Sequence, residues 1–207
     1  MDKLFKGVLK FQQEDFEAQR ELFSQLRREQ KPHTLFIGCS DSRVVPTLIT
    51  KTNPGELFLV RNVANIVPPF ESEARYGATS AAVEYAVQAV DVDAIVVCGH
   101  SNCGGCAALN MDPVALEHLP RTRKWLQLSR EVPGRVARLQ RSDDPAEKEW
   151  LTEQINVLVQ ISNLLTYPYI KEKVAAGTLQ ILGWYYVIET GDVLNFNDVT
   201  GRFERMS

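Results

Sequence analysis

Leu4, Val8, Leu9, Phe16, Leu22, Phe23 and Leu26 recur at mostly helical spacing with charged residues between them, which predicts a helical arm over residues 4–30. Lys31-Pro32 ends it, because a residue before proline is pushed out of helical geometry. An arm with this many apolar side chains must pack on the core or on another subunit. Three short apolar runs follow, each bounded by turn residues: 34–38 (TLFIG), 56–60 (ELFLV) after Asn53-Pro54-Gly55, and 94–98 (AIVVC). They read as buried strands. Residues 77–90, alanine-rich with one charge at Glu84, read as a mostly buried helix between the second and third. Residues 146–165 show an amphipathic stripe of Leu151, Ile155, Leu158, Ile161 and Leu165. Residues 178–190 read as a fourth strand, and 193–196 return as a hairpin partner after Gly191-Asp192. The order predicts an α/β fold: a mostly parallel central sheet of four strands plus an antiparallel edge strand, flanked by helices.

Composition narrows the class. The 207 residues are 44% hydrophobic and 24% charged, ordinary globular values that exclude disordered and collagen-like chains. The expected organisation is a single domain over 1–207, with 1–32 as the N-terminal helical arm. The longest apolar runs hold about five residues, against roughly 20 for a membrane span. The charged start carries no apolar signal core, so a cytoplasmic protein is expected. A net charge of −3 leaves no basic footprint for nucleic acid. The basic stretch within 110–150 reads as a solvated helical excursion. Four cysteines do not make a disulfide scaffold.

Two segments carry the chemistry. Cys39-Ser40-Asp41-Ser42-Arg43 follows the first predicted strand, and His100-Ser101-Asn102-Cys103 follows the third. Strand ends of a parallel sheet converge near a crevice where ligands bind. Two thiolates and one imidazole brought together there suit Zn²⁺, and three protein ligands leave the open position of a catalytic site. Cys106 completes a Cys-x-x-Cys with Cys103, but a redox pair explains neither Cys39 nor His100; it reads as a packed helix residue. Cys98 reads as core, and His33 and His118 as ordinary surface or hydrogen-bond-satisfied residues. Phosphate-cradling, nucleophile-elbow and H-E-x-x-H motifs do not occur.

These segments resemble the β-class carbonic anhydrases: Cys39-x-Asp41-x-Arg43, then His100-x-x-Cys103-Gly104-Gly105 about 60 residues later. The likeness extends to Pro54–Phe58, Arg61–Asn65, Glu84-Tyr85, Asn163–Pro168 and Gly183–Tyr186, and covers roughly residues 5–197. It implies reversible hydration of carbon dioxide to bicarbonate and a proton by a zinc lyase. Cys39, His100 and Cys103 would hold zinc, with Asp41 and Arg43 as a catalytic pair. Asp41 is also a candidate fourth ligand in a closed state. Gln30, nine positions before the first zinc cysteine, resembles the plant-type variant of the family. Phe36 stands where the variant with a regulatory bicarbonate site has tryptophan. In the plant-type variant Gln30, Phe58, Val63 and Tyr85 would bind substrate, in a pocket assembled at a dimer interface. The resemblance therefore implies a homodimer or higher homo-oligomer. Two thiolates offset the metal charge, so the activated water is expected to ionise above the value of about 7 known for three-histidine carbonic anhydrase sites. Alternatives are a hydrolase of a CO₂ analogue such as CS₂ or COS, and a non-catalytic zinc or redox interaction module.

Overall fold

Every residue of β1 (Thr34–Cys39) is buried, as is β3 (Ala94–His100) beyond its first residue. Strands covered on both faces need apolar residues at successive positions, which is why these runs show no polar alternation. Leu35, Ile37, Ile95 and Val97 enter one core with Val157 and Leu164. Phe36, Val96 and Cys98 enter another, against Leu182 and Trp184. The structure is a computed structural model and describes residues 2–70 and 77–206.

With β2 (Leu57–Asn62), β4 (Gln180–Tyr186), β5 (Val193–Asn197) and β6 (Arg202–Arg205), the sheet runs β2-β1-β3-β4-β5-β6. The first four strands in that order are parallel, as the sequence predicts; β5 and β6 are antiparallel to their neighbours. The expected edge strand is corrected in one respect: β5 is internal and β6 takes the edge. β6 carries one apolar residue among three charged ones, so it makes no apolar run. Its Phe203 packs on Phe196 at 5.3 Å between ring centroids. Charged side chains on an outer strand discourage further pairing.

The strand order has a consequence for function. β2 lies on one side of β1 and β3 on the other. The carboxyl ends of β1 and β3 therefore flank the point where the order reverses, the usual ligand crevice of an open α/β sheet.

The helix Pro145–Leu164 lies against the sheet, capped by Asp144 Oδ1 accepting the Ala146 N–H. Of the predicted stripe only Ile155 is buried; Leu165 is exposed and the others are half-buried. The helix turns Glu153, Asn156, Val157, Gln160 and Leu164 inward instead. Polar side chains can enter because the interior offers partners. Asn156 Nδ2 donates to the Ala64 carbonyl at 2.9 Å, and Gln160 Oε1 accepts the Val67 N–H at 2.9 Å. The helix also comes close: a Cβ on Gly99 would sit 2.6 Å from Val157 Cγ2, and one on Gly183 2.9 Å from Ile161 Cδ1.

Two helical expectations change. Residues 77–90 form the helix Gly77–Glu84 and a wider π-type turn, Tyr85–Val90, with one face buried and Glu84 and Tyr85 exposed. Alanine is small enough to serve either environment, so its abundance did not report burial. The arm is Asp2–Lys10, a π-type turn Phe11–Asp15, a break at Gln19, and Arg20–Leu26. The break gathers Phe11, Phe16 and Phe23, with Phe16 stacked on Phe23 at 5.2 Å. Leu26 rests on Gly55, but Leu4, Phe5, Val8 and Leu9 are exposed. That end of the arm does not pack on its own core. Among the described residues no helix is long and apolar enough to cross a membrane.

Candidate metal centre

Cys39 is the last residue of β1 and His100 the last of β3; Cys103 precedes the short helix Gly104–Ala108. The two loops between strand and helix turn inward at the crevice. Their ligand atoms all lie within 4.8 Å of one another, and the three residues are buried. The Cys39 and Cys103 sulfurs are 3.9 Å apart. A disulfide needs about 2.05 Å, whereas two sulfurs on one tetrahedral zinc, each at about 2.3 Å, stand about 3.8 Å apart. All four cysteines are free.

His100 supplies the decisive detail. Its Nδ1 lies 2.9 Å from the Ser101 carbonyl, an acceptor only, so Nδ1 carries the proton. That leaves Nε2 with a lone pair, and Nε2 is buried without a hydrogen-bond partner. A buried nitrogen with no partner costs stability unless something binds it. The fixed tautomer is the one a metal requires. The donor set therefore fits zinc. In the metal-free chain the Cys39 thiol is pushed up to about 12 by its contact with Cys103 and by burial. Contact with Cys106 and burial hold Cys103 at about 12. A bound cation would stabilise the thiolate form of both sulfurs.

Asp41 and Arg43 complete the rim. Arg43 Nε and Nη2 donate to Asp41 Oδ1 and Oδ2 at 2.9 and 2.8 Å, and the Arg43 backbone N–H adds a bond to Oδ1 at 2.9 Å. The Arg43 side chain thereby holds the Asp41 carboxyl well below the usual carboxylate range. The same Nη2 donates to the Asn102 carbonyl at 2.9 Å, which ties the first loop to the second. Asn102 takes a left-handed conformation there (φ 57°), which asparagine tolerates. Arg61, on β2, donates to the Cys39 and Asp41 carbonyls at 3.0 and 2.7 Å.

The remaining predicted residues are less tightly gathered. Val63 touches the Cys103 helix: a Cβ on Gly105 would meet its Cγ1 at 3.0 Å. Phe58 and Tyr85 pair with each other at 6.0 Å between centroids. Tyr85 is 52% exposed and Val63 39%. Gln30 is exposed beyond the last helix of the arm. Cys98 and Cys106 are buried outside the ligand group, and His33 and His118 are exposed.

Sequence reasoning missed the groups behind the ligands. Glu153 Oε1 accepts the Cys103 N–H at 2.8 Å, and Tyr185 donates to Glu153 Oε2 at 2.6 Å. Burial raises the Glu153 carboxyl, and burial and Glu153 raise the Tyr185 hydroxyl. The signal was present as polar residues at 153, 156 and 160, spaced along the helix face that Val157 and Leu164 also occupy.

Comparison with known proteins agrees with this geometry. Residues 34–193 match the family model described as carbonic anhydrase. The chain is 42% identical over 203 residues to a carbonic anhydrase of Helicobacter pylori, covering 97% of this chain and 92% of that protein. The chain is a β-class carbonic anhydrase. Carbonic anhydrase 1 of Escherichia coli O157:H7 is also 42% identical, with 98% and 91% covered. Among solved structures, the β-carbonic anhydrase CcaA superposes with a TM-score of 0.92 at 38% identity, covering 100% of this chain and 92% of that one. Tetrameric β-carbonic anhydrases of Sordaria macrospora give 0.83 at 31% identity, with 95% and 96% covered. The carbonic anhydrase thus shares fold and family with enzymes over nearly its whole length.

Proposed function

We propose that this carbonic anhydrase hydrates carbon dioxide reversibly at a zinc ion held by Cys39, His100 and Cys103, within one catalytic domain that spans the chain. The observation that carries the reading is the buried, partnerless Nε2 of His100 beside two thiols with zinc-like separation. Zinc held there would supply Lewis acidity that lowers the pKa of water far below its value in bulk solvent. Asp41, kept ionised by Arg43, accepts a hydrogen bond from the nucleophile's O–H and so turns its lone pair toward CO₂. Arg43 holds that carboxylate through its guanidinium fork and anchors it to Asn102. Were Arg43 to release Asp41, the carboxylate would become a fourth ligand and close the site.

Phe58, Val63 and Tyr85 form the apolar wall that suits nonpolar CO₂, and Gln30 donates a hydrogen bond to a substrate or product oxygen. In a single chain this wall faces solvent. A homodimer or higher assembly, in which a second copy covers it, is supported by the exposed apolar arm and by the tetrameric relatives. A cytoplasmic location is supported by four free thiols. Family membership favours CO₂ over an analogue, and nothing in the site favours a non-catalytic module.

The test measures zinc stoichiometry and CO₂ hydration on one sample before and after chelation. One zinc per chain is expected, with activity lost on chelation and restored by Zn²⁺. Full hydration by metal-free protein would overturn the reading. The kcat/KM profile should favour alkaline pH; a profile flat down to pH 6 would contradict the two-thiolate site.

A further inference from the structure

Glu153 stands two turns into the long helix, yet it is 2% exposed and reaches the metal centre. Both of its oxygens are used. Oε1 accepts the backbone N–H of Cys103 at 2.8 Å, and Oε2 accepts the Tyr185 hydroxyl at 2.6 Å. Tyr185 lies in β4, directly opposite Gly99 of β3. The carboxylate thus ties the long helix and β4 to the peptide that carries one sulfur. Gly99 makes the approach feasible, since any larger residue would strike Val157, one turn further along the same helix. Cys103 begins the Gly104–Ala108 helix, and its side chain makes no capping bond there. Its position rests instead on the bond from its own N–H to Glu153, on its carbonyl accepting from Ala107, and on the Arg43 tether at Asn102.

We infer that Glu153, held by Tyr185, is a positioning residue that fixes the Cys103 sulfur for metal binding through a hydrogen bond to the Cys103 amide. The inference rests on the zinc reading of Cys39, His100 and Cys103. Groups that orient metal ligands in this way cost about 10–100-fold in metal affinity when removed. The bond needs an acceptor at Oε1 rather than a charge. In Glu153→Gln the amide oxygen still accepts from Cys103, and the amide nitrogen donates to the Tyr185 oxygen. The conservative variant should therefore restore what alanine removes.

The test measures Zn²⁺ affinity of the folded full-length chain by competition with a chromogenic chelator at fixed pH. Thiolate-to-metal charge-transfer bands of the Co²⁺-loaded chain give a second readout that global destabilisation does not move. Glu153→Ala should bind zinc about 10–100-fold more weakly and alter the Co²⁺ bands. Glu153→Gln should stay within about threefold of the parent, because its amide oxygen preserves the Cys103 bond. Parent affinity in Glu153→Ala, or equal loss in Gln and Ala, would overturn the inference. If Glu153→Ala does not fold, Tyr185→Phe decides. It leaves the Cys103 bond in place but frees Oε2, and zinc should then dissociate at least threefold faster. Dissociation at the parent rate would overturn the inference. A parent chain that takes up no zinc would overturn the metal-site reading, and this inference with it.

Discussion

Gly99→Ala probes the packing that brings the long helix to the metal centre. The added Cβ would stand 2.6 Å from Val157 Cγ2, while its next neighbours, the Glu153 carbonyl at 3.5 Å and Tyr185 Cδ2 at 3.8 Å, are at ordinary contact. The conflict is therefore with one methyl group. Carbon atoms prefer about 3.5–4.0 Å, so the two must separate by roughly 1 Å. Val157 cannot swing away easily, because a β-branched side chain in a helix has one favoured rotamer. It is also fully buried, and its other methyl lies close to Gly183. Overpacking of this kind costs about 1–3 kcal/mol. At about 2–4 °C per kcal/mol for a chain of this size, Tm should fall by roughly 2–12 °C. Val157→Ala alone should also destabilise, by about 1–3 kcal/mol for two buried methyls. The double variant should be more stable than the sum predicts by at least about 1 kcal/mol, since the new methyl enters the vacated space. Thermal and urea unfolding of the four proteins in the cycle provide the assay. A Gly99→Ala protein melting within 1 °C of the parent, or an additive double variant, would refute the reasoning.

Metal-free protein should lose stability as pH rises above about 8.5, the unperturbed thiol value, because the unfolded chain releases protons that folded Cys39, Cys98 and Cys103 hold up to about 12. This stabilisation is fully present below that value and declines by up to roughly 1.4 kcal/mol per pH unit per thiol. Zinc removes two of the three thiols from the effect, so Tm between pH 8 and 10 should fall less steeply for loaded protein; equal slopes would contradict the assignment. Asp41→Ala should lower kcat/KM by about 100-fold or more while leaving zinc content near one per chain, as checked by hydration kinetics and metal analysis. Zinc loss in that variant would make Asp41 an obligatory ligand. Phe5→Asp combined with Leu9→Asp should shift the assembly toward monomer by light scattering and reduce kcat/KM, because the Tyr85 wall would lose its cover. A fully active monomer would overturn the shared-pocket proposal.

The chemistry of the centre was legible in the residues themselves. Cys39 after one buried run and His-x-x-Cys after another are enough to nominate the proposed zinc ligands, while the Asp41–Arg43 pair is assigned by resemblance to the family. The parallel core was equally legible, because strands buried on both faces leave unbroken apolar runs. Other features depend on partners that lie far away in sequence. β6 has no apolar run to announce it, and forms because β5 offers an unpaired edge. The inward face of the long helix was misjudged because hydrophobicity alone cannot tell that Asn156 and Gln160 will meet the Ala64 and Val67 backbone. Glu153 resembles any solvated carboxylate until the fold sets it between Cys103 and Tyr185. The proposed ligands are thus nominated by local sequence. The orientation of those ligands is decided only by tertiary packing, since the groups that fix it come from elements some 50 to 80 residues away.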